Sequence, residues 1–193
     1  MGENNLLFPH GVLTGTEVMI DCLDDNLRRL KRQMEKIDNH CLYWQPDAEA
    51  NSIAVILWHM GRILDVFFHL LALGLSTDQQ VWFRCGWAEK TGYDPRGIGR
   101  DGWGSLNDYT LQEVAAMPRY TDSDLMGFIE GVYADLRDFL VITPMEELAK
   151  PGTGFEGRYT RHQVIMMALM DNVRHLGEIR LTQSLWERVK PIQ

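Results

Sequence analysis

The chain has 193 residues and a formal net charge of -8, with 45% hydrophobic and 24% charged residues, the mix of an ordinary globular protein. That acidic balance argues against nucleic acid and against an anionic membrane as partners. The length predicts one domain, 1–193, large enough to bury a real core, and no apolar run approaches the roughly 20 residues of a membrane span.

The opening stretch MGENNLLFPHG has neither a basic n-region nor an apolar h-region, so no secretory signal is expected. Leu6 stands where a myristoylation site needs Ser or Thr. A first helix is predicted over 14–38, started by the capping-box pair Thr14/Glu17. Pro46 and the polar run DAEANS separate it from a second helix over 51–73. A long connection follows. Its Ser76/Gln79 and Thr110/Glu113 pairs predict short helices near 77–90 and 110–116. Between these, GYDPRGIGRDGWG holds a formal GxGxxG in Gly97, Gly99 and Gly102. A dinucleotide site is rejected, because that fingerprint needs a strand before it and a helix after it. The stretch is read as a flexible connection, or more sharply as a lid. A third long helix is predicted over 121–141, with a weaker start signal at Thr121/Asp124, and a fourth over 160–188 behind Thr160/Gln163. KPGTGFEGRY, 150–159, reads as a turn or hairpin, and strand alternation is missing elsewhere. Four amphipathic helices of this length predict an all-α four-helix bundle, with the short helices in the connection between the second and third.

The cysteines are Cys22, Cys41 and Cys85, an odd number with no CxxC pair. A disulfide framework and a cysteine zinc site are not expected, and a cytoplasmic location fits. Each cysteine is read as a small core residue rather than a nucleophile.

Three other residues draw attention. His59 shares the core-facing stripe of the second helix with Ser52, Val55, Ile56, Ile63, Val66 and Leu70, at about 100° per residue. On the fourth helix Asp171 and His175 are four residues apart and share a stripe with Val164, Met167 and Leu185. Helical bundles build metal sites from inward side chains on facing helices. The competing reading is a buried polar contact, with Asp171 bonded to His175 or Arg174. His10, His40, His69 and His162 fall at ends or off the core stripe, where solvated or packing roles are expected.

These residues carry a resemblance. The run CLYWQPDAEANSIAVILWHMGRILDVFF resembles the second-helix region of the DinB/YfiT-like superfamily: a Trp-x-Pro element at Trp44 and Pro46, an Asn-Ser-Ile start at Asn51–Ile53, then a metal-ligand histidine at His59. The run DNVRHLGEIRLTQSL resembles the last-helix motif, in which His-x-x-x-His precedes a Gly-Gln or Gly-Glu step. The Gly177-Glu178 step places the second motif histidine on His175 and the first on Asp171. Asp171 departs from the three-histidine pattern. The resemblance implies a four-helix bundle, commonly a homodimer, holding a divalent metal, often zinc or nickel, on His59, Asp171 and His175. Zinc accepts an aspartate oxygen, and two histidines plus a carboxylate also suit iron(II). Characterised relatives include S-transferases that use bacillithiol or mycothiol and a mycothiol-dependent maleylpyruvate isomerase, so a small-molecule thiol is the implied partner. Trp58, Arg62, Trp82, Trp87 and Trp103 are candidates for lining a substrate cavity. Arg62 would bind an anionic group or make a surface ion pair with Asp65 or Glu89, and Glu178 would support His175. The alternatives are a non-catalytic dimeric bundle, with a structural metal or none, and a metal-dependent hydrolase.

Overall fold

The computed structural model describes residues 13–190. His10 and the N-terminal stretch read for a signal or a lipid site lie outside the described residues. In chain order the α-helices are α1 (Gly15–Met34), α2 (Asn39–Tyr43), α3 (Ile53–Asp65), α4 (Val81–Arg84), α5 (Trp87–Thr91), α6 (Leu111–Ala115), α7 (Asp122–Ile142), α8 (Met145–Leu148) and α9 (Arg161–Val189). The fold is all-α. Among the described residues the one β feature is an isolated antiparallel bridge between Pro151 and Thr160, which closes the predicted turn.

The start signals act as expected. Thr14, Thr110 and Thr160 form reciprocal capping boxes with Glu17, Glu113 and Gln163. Thr121 accepts from the Asp124 amide. Each satisfies amides that a helix start leaves orphaned, which is worth about 1 kcal/mol per cap.

The four long helices pack as a ring: α3 touches α7 and α9, and α1 touches the same two. They share one core, with Leu23, Leu30, Leu57, Ile129, Val132, Leu136, Ile165 and Ala168 all 1% exposed or less. Within α3 every residue except Val55 is buried. A helix apolar on all sides needs cover beyond its ring neighbours. The long connection supplies it: Trp82, Tyr93 and Tyr109 pack around the Trp58 ring at centroid distances of 5.9, 5.7 and 6.1 Å. The segment Ile53–Ala72 is long and apolar enough to cross a membrane, but 83% of its most apolar window is buried inside the protein.

Several boundaries differ from expectation. The first helix stops at Met34, and a separate turn, α2, opens on the Asp38 side chain. The helix expected near 77–90 is three pieces: a 3₁₀ turn at Thr77–Gln79, then α4, then α5. Gly86 divides the last two at φ 72°, a left-handed position that glycine adopts at no steric cost. The second helix leaves α geometry after Asp65 and continues as a π-helix over Val66–Ala72. That change overturns the placement of His69, which is buried at 3% exposure rather than lying off the core face. A reading at 3.6 residues per turn loses its phase once the turns widen. Cys85 is exposed and Cys22 is half-buried, so only Cys41 is a core cysteine; burial pushes its thiol up to about 11.

Candidate metal centre

His59 projects from the middle of α3 and is 6% exposed. Its Nδ1 lies 2.5 Å from the Ser105 carbonyl oxygen, and its Nε2 lies 3.1 Å from Asp171 Oδ2. His175, one turn after Asp171 on α9, directs Nε2 to the same Oδ2 at 3.2 Å and Nδ1 to Glu178 Oε2 at 2.7 Å. The two imidazoles meet edge to face, with centroids 4.7 Å apart. One candidate ligand atom from each of the three residues lies within 4.8 Å of the other two. The structure thus brings His59, Asp171 and His175 to one point.

Hydrogen-bond roles decide what this point offers. A carbonyl oxygen only accepts, so His59 Nδ1 carries the proton it shares with Ser105. A carboxylate likewise only accepts, so His175 Nδ1 carries the proton facing Glu178. In the neutral imidazoles both Nε2 atoms are then lone pairs, and both face a carboxylate oxygen. Three acceptors pointed at one another need protons or a cation between them. Ligands around a tetrahedral zinc at 2.0–2.2 Å sit about 3.4 Å apart. The two carboxylate–imidazole separations match this within a few tenths of an ångström, and with the three ligand atoms within 4.8 Å of one another the group could hold a divalent ion once the imidazoles draw in around it.

Burial pushes the Asp171 carboxyl upward, but hydrogen bonds from His175 and His59 outweigh it and hold the group well below the usual carboxylate range. Burial pulls His175 down, and its bonds to Asp171 and Glu178 raise it above an ordinary histidine. Asp171 Oδ1 also accepts from Arg174 at 2.6 Å, so the polar contacts weighed against a metal are both present around it.

The α9 face differs from the predicted stripe. Its buried residues include Val164, Ile165, Ala168, Leu169, Asn172, Ile179 and Thr182. The core position is therefore Asn172, which donates to the Met60 carbonyl at 3.2 Å. Asp171 and His175 stand at the border of that face, with side chains 22% and 17% exposed. The ligand group is shielded by the ring without being sealed in it.

The supporting residues need correction. Arg62 makes the expected ion pair with Asp65, but in the core rather than at the surface. It is fully buried and donates through Nη1 to Asp65 at 3.1 Å, through Nε to the Gly104 carbonyl at 3.0 Å and through Nη2 to the Trp103 carbonyl at 3.0 Å. Trp58 and Trp82 are 0% and 1% exposed and pack against each other and against Tyr93, Tyr120 and Phe128, so they belong to the core rather than to an open cavity wall. Three cavities lie elsewhere among the described residues: about 320 Å³ beside the start of α3, a groove of about 900 Å³ between α1 and α9, and an open recess of about 430 Å³ along α1. Glu178 does stand beside His175, as expected.

Sequence reasoning missed Ser105. Its contribution is a backbone carbonyl, which no side-chain pattern announces. The available signal was the glycine-rich connection itself. Its backbone takes positive φ at the non-glycine residues Asp101 (51°), Leu106 (76°) and Asp108 (61°). Such positions cost about 1–3 kcal/mol each and persist where surrounding contacts fix them. The segment is thus pinned to α3 rather than being a loose connection.

No protein-family model matches the chain, and no curated protein matches it. Among solved structures, the crystal structure of a conserved protein from Enterococcus faecalis is similar, with a TM-score of 0.72 at 20% identity over 90% of this chain and 98% of that one. At that identity the likeness is one of fold alone.

Proposed function

We propose that this chain is a divalent-metal-dependent enzyme of the DinB/YfiT-like superfamily that activates a small-molecule thiol for transfer to an electrophile. One observation carries the reading. His59 Nε2, His175 Nε2 and Asp171 Oδ2 converge while both Nδ1 atoms are committed elsewhere. A bound divalent ion would supply Lewis-acid chemistry, lowering the pKa of a thiol or a water in its remaining positions. Zinc or nickel suits the donor set best, with iron(II) the alternative. The Ser105 carbonyl and the Glu178 carboxylate hold the two imidazoles in the tautomer that leaves Nε2 free to ligate. Asp171 contributes a negative charge that Arg174 partly offsets. Glu178 is committed to His175, so it holds the imidazole in place rather than serving as a general base.

We further propose that the chain works as a homodimer in a reducing, cytoplasmic compartment. Exposed Met170 (51%), Val173 (42%) and Leu181 (61%) on α9 support the first point, and three free thiols support the second.

The test is elemental analysis of protein purified without a histidine tag, followed by titration of a small thiol against the loaded protein. The expected result is about one divalent ion per chain and a thiol whose ionisation moves to neutral pH. Protein that takes up no ion overturns the metal reading and returns Asp171 to a buried polar contact. Protein that takes up an ion but leaves the thiol unshifted overturns the thiol chemistry and favours a structural metal or hydrolysis. Light scattering decides assembly: a mass near the 22.3 kDa of one chain rejects the dimer.

A further inference from the structure

Three consecutive carbonyls in the long connection face α3. Those of Trp103 and Gly104 accept from Arg62, and that of Ser105 accepts from His59 Nδ1. Arg62 and His59 are three residues apart on α3, so their side chains leave the same helical face. The guanidinium is itself fixed from behind. Asp65 takes its Nη1, and the same carboxylate accepts the Val81 and Trp82 amides at 2.8 and 2.9 Å at the start of α4. Gly104, between the two clamped carbonyls, has φ 60°, and a Cβ there would lie 2.4 Å from the Pro95 carbonyl oxygen. The backbone at this point is therefore held by close packing on one side and by a buried fork of donors on the other.

We propose that Arg62 is the positioning residue of the metal centre: by clamping the Trp103 and Gly104 carbonyls it presents the Ser105 carbonyl to His59, and so sets the tautomer in which His59 Nε2 ligates. The inference rests on the metal reading of His59, Asp171 and His175, but its first consequence belongs to the metal-free protein. With the clamp intact the Ser105 carbonyl can only accept, so Nδ1 stays protonated whether or not Nε2 also shares a proton with Asp171. With the clamp loosened the carbonyl withdraws, and His59 is free to place its proton on Nε2, the nitrogen that must be bare to bind metal. Groups that orient a ligating histidine in this way typically change metal affinity by about 10–100-fold when removed.

Two variants test it. Arg62→Lys keeps a positive charge opposite Asp65 but removes the planar fork that holds two carbonyls at once. Gly104→Ala disturbs the loop and leaves every charge in place. Each is examined by nitrogen-15 NMR of the His59 ring without metal, by zinc affinity in competition with a chelator, and by thermal unfolding. In both folded variants the share of His59 rings protonated at Nδ1 should fall and zinc affinity should drop about 10–100-fold. The ring of His69, whose bonds do not involve the loop, should keep its spectrum in Gly104→Ala. Folded variants that keep the parent tautomer and the parent zinc affinity overturn the proposal. If Arg62→Lys fails to fold, Gly104→Ala decides alone. If the parent itself takes up no zinc, the metal reading fails, and the tautomer measured without metal still confirms or rejects the clamp.

Discussion

Two polar clusters are built from the same residue types and serve opposite ends. In one, His69 lies between Asp65 at 2.9 Å and Asp135 at 2.6 Å, with Arg62 on the other Asp65 oxygen at 3.1 Å and Arg84 sharing, at 2.7 Å, the Asp135 Oδ2 that His69 faces. Both ring nitrogens face carboxylates, and the Val81 and Trp82 amides complete Asp65. Each carboxylate here faces cationic or N–H donors from several elements, and no three ligand atoms converge on an empty point. In the other cluster, each histidine spends one nitrogen on an outside acceptor and turns the second toward a shared oxygen. A histidine among carboxylates is therefore not a site in itself. The saturated cluster ties α3 to α4 and α7, and the unsaturated one leaves room for a cation.

The contrast can be broken by experiment. The largest effect is expected from His175→Ala, which should reduce divalent-ion uptake below detection, because two remaining ligands hold an ion poorly against buffer. Circular dichroism should remain that of the parent, since the core is large and apolar. His69→Ala should instead leave metal uptake intact, and a loss of uptake there would erase the distinction between the clusters.

Next in size is Asp65→Asn. It leaves the fully buried Arg62 without its counter-charge, which costs about 3–5 kcal/mol. Denaturant unfolding reads this, and a change below about 1 kcal/mol would remove Asp65 from the framework.

A comparable but smaller effect belongs to pH. Burial pulls the His69 pKa down, but the hydrogen bonds to Asp135 and Asp65 outweigh it and lift it from 6.5 to about 9. The charged form is the one the fold prefers. Its stabilisation is complete below pH 6.5, the unfolded value, and is lost as pH rises through about 9. The loss should approach about 3 kcal/mol, and a His69→Gln variant should lack it. A parent whose unfolding free energy is flat from pH 6.5 to 9 contradicts the ion-pair picture of this cluster.

The smallest effect is Arg174→Ala. Its side chain is 74% exposed, and exposed pairs contribute about 0–1 kcal/mol. Stability should barely move. Metal affinity should change by a few-fold at most, and a collapse of uptake would make Arg174 part of the centre.

Much of the fold was legible because it rests on local signals. Thr14, Thr110 and Thr160 cap where their capping boxes begin, and α7 and α9 start and end within a residue of expectation. The three candidate ligands were legible through helical spacing. Their surroundings were not. Ser105 acts through a carbonyl, so its side chain gives no clue. Arg62 has no charge pattern that marks it as buried, and only the tertiary position of the connection makes it so. The fourth-helix stripe slipped by one residue because Asp171 and Asn172 are both polar, and burial alone tells which faces the core.

The π-helix over Val66–Ala72 bears on how this chain is compared with others. Hydrogen bonds closed over five residues fit an extra residue into each turn, so the segment behaves as an insertion hidden inside a continuous helix. A sequence aligned to it without a gap will be in register before Asp65 and out of register after Leu73. Any comparison that seeks the His69 cluster in another protein must place its gap here, inside a helix, where alignments rarely look for one.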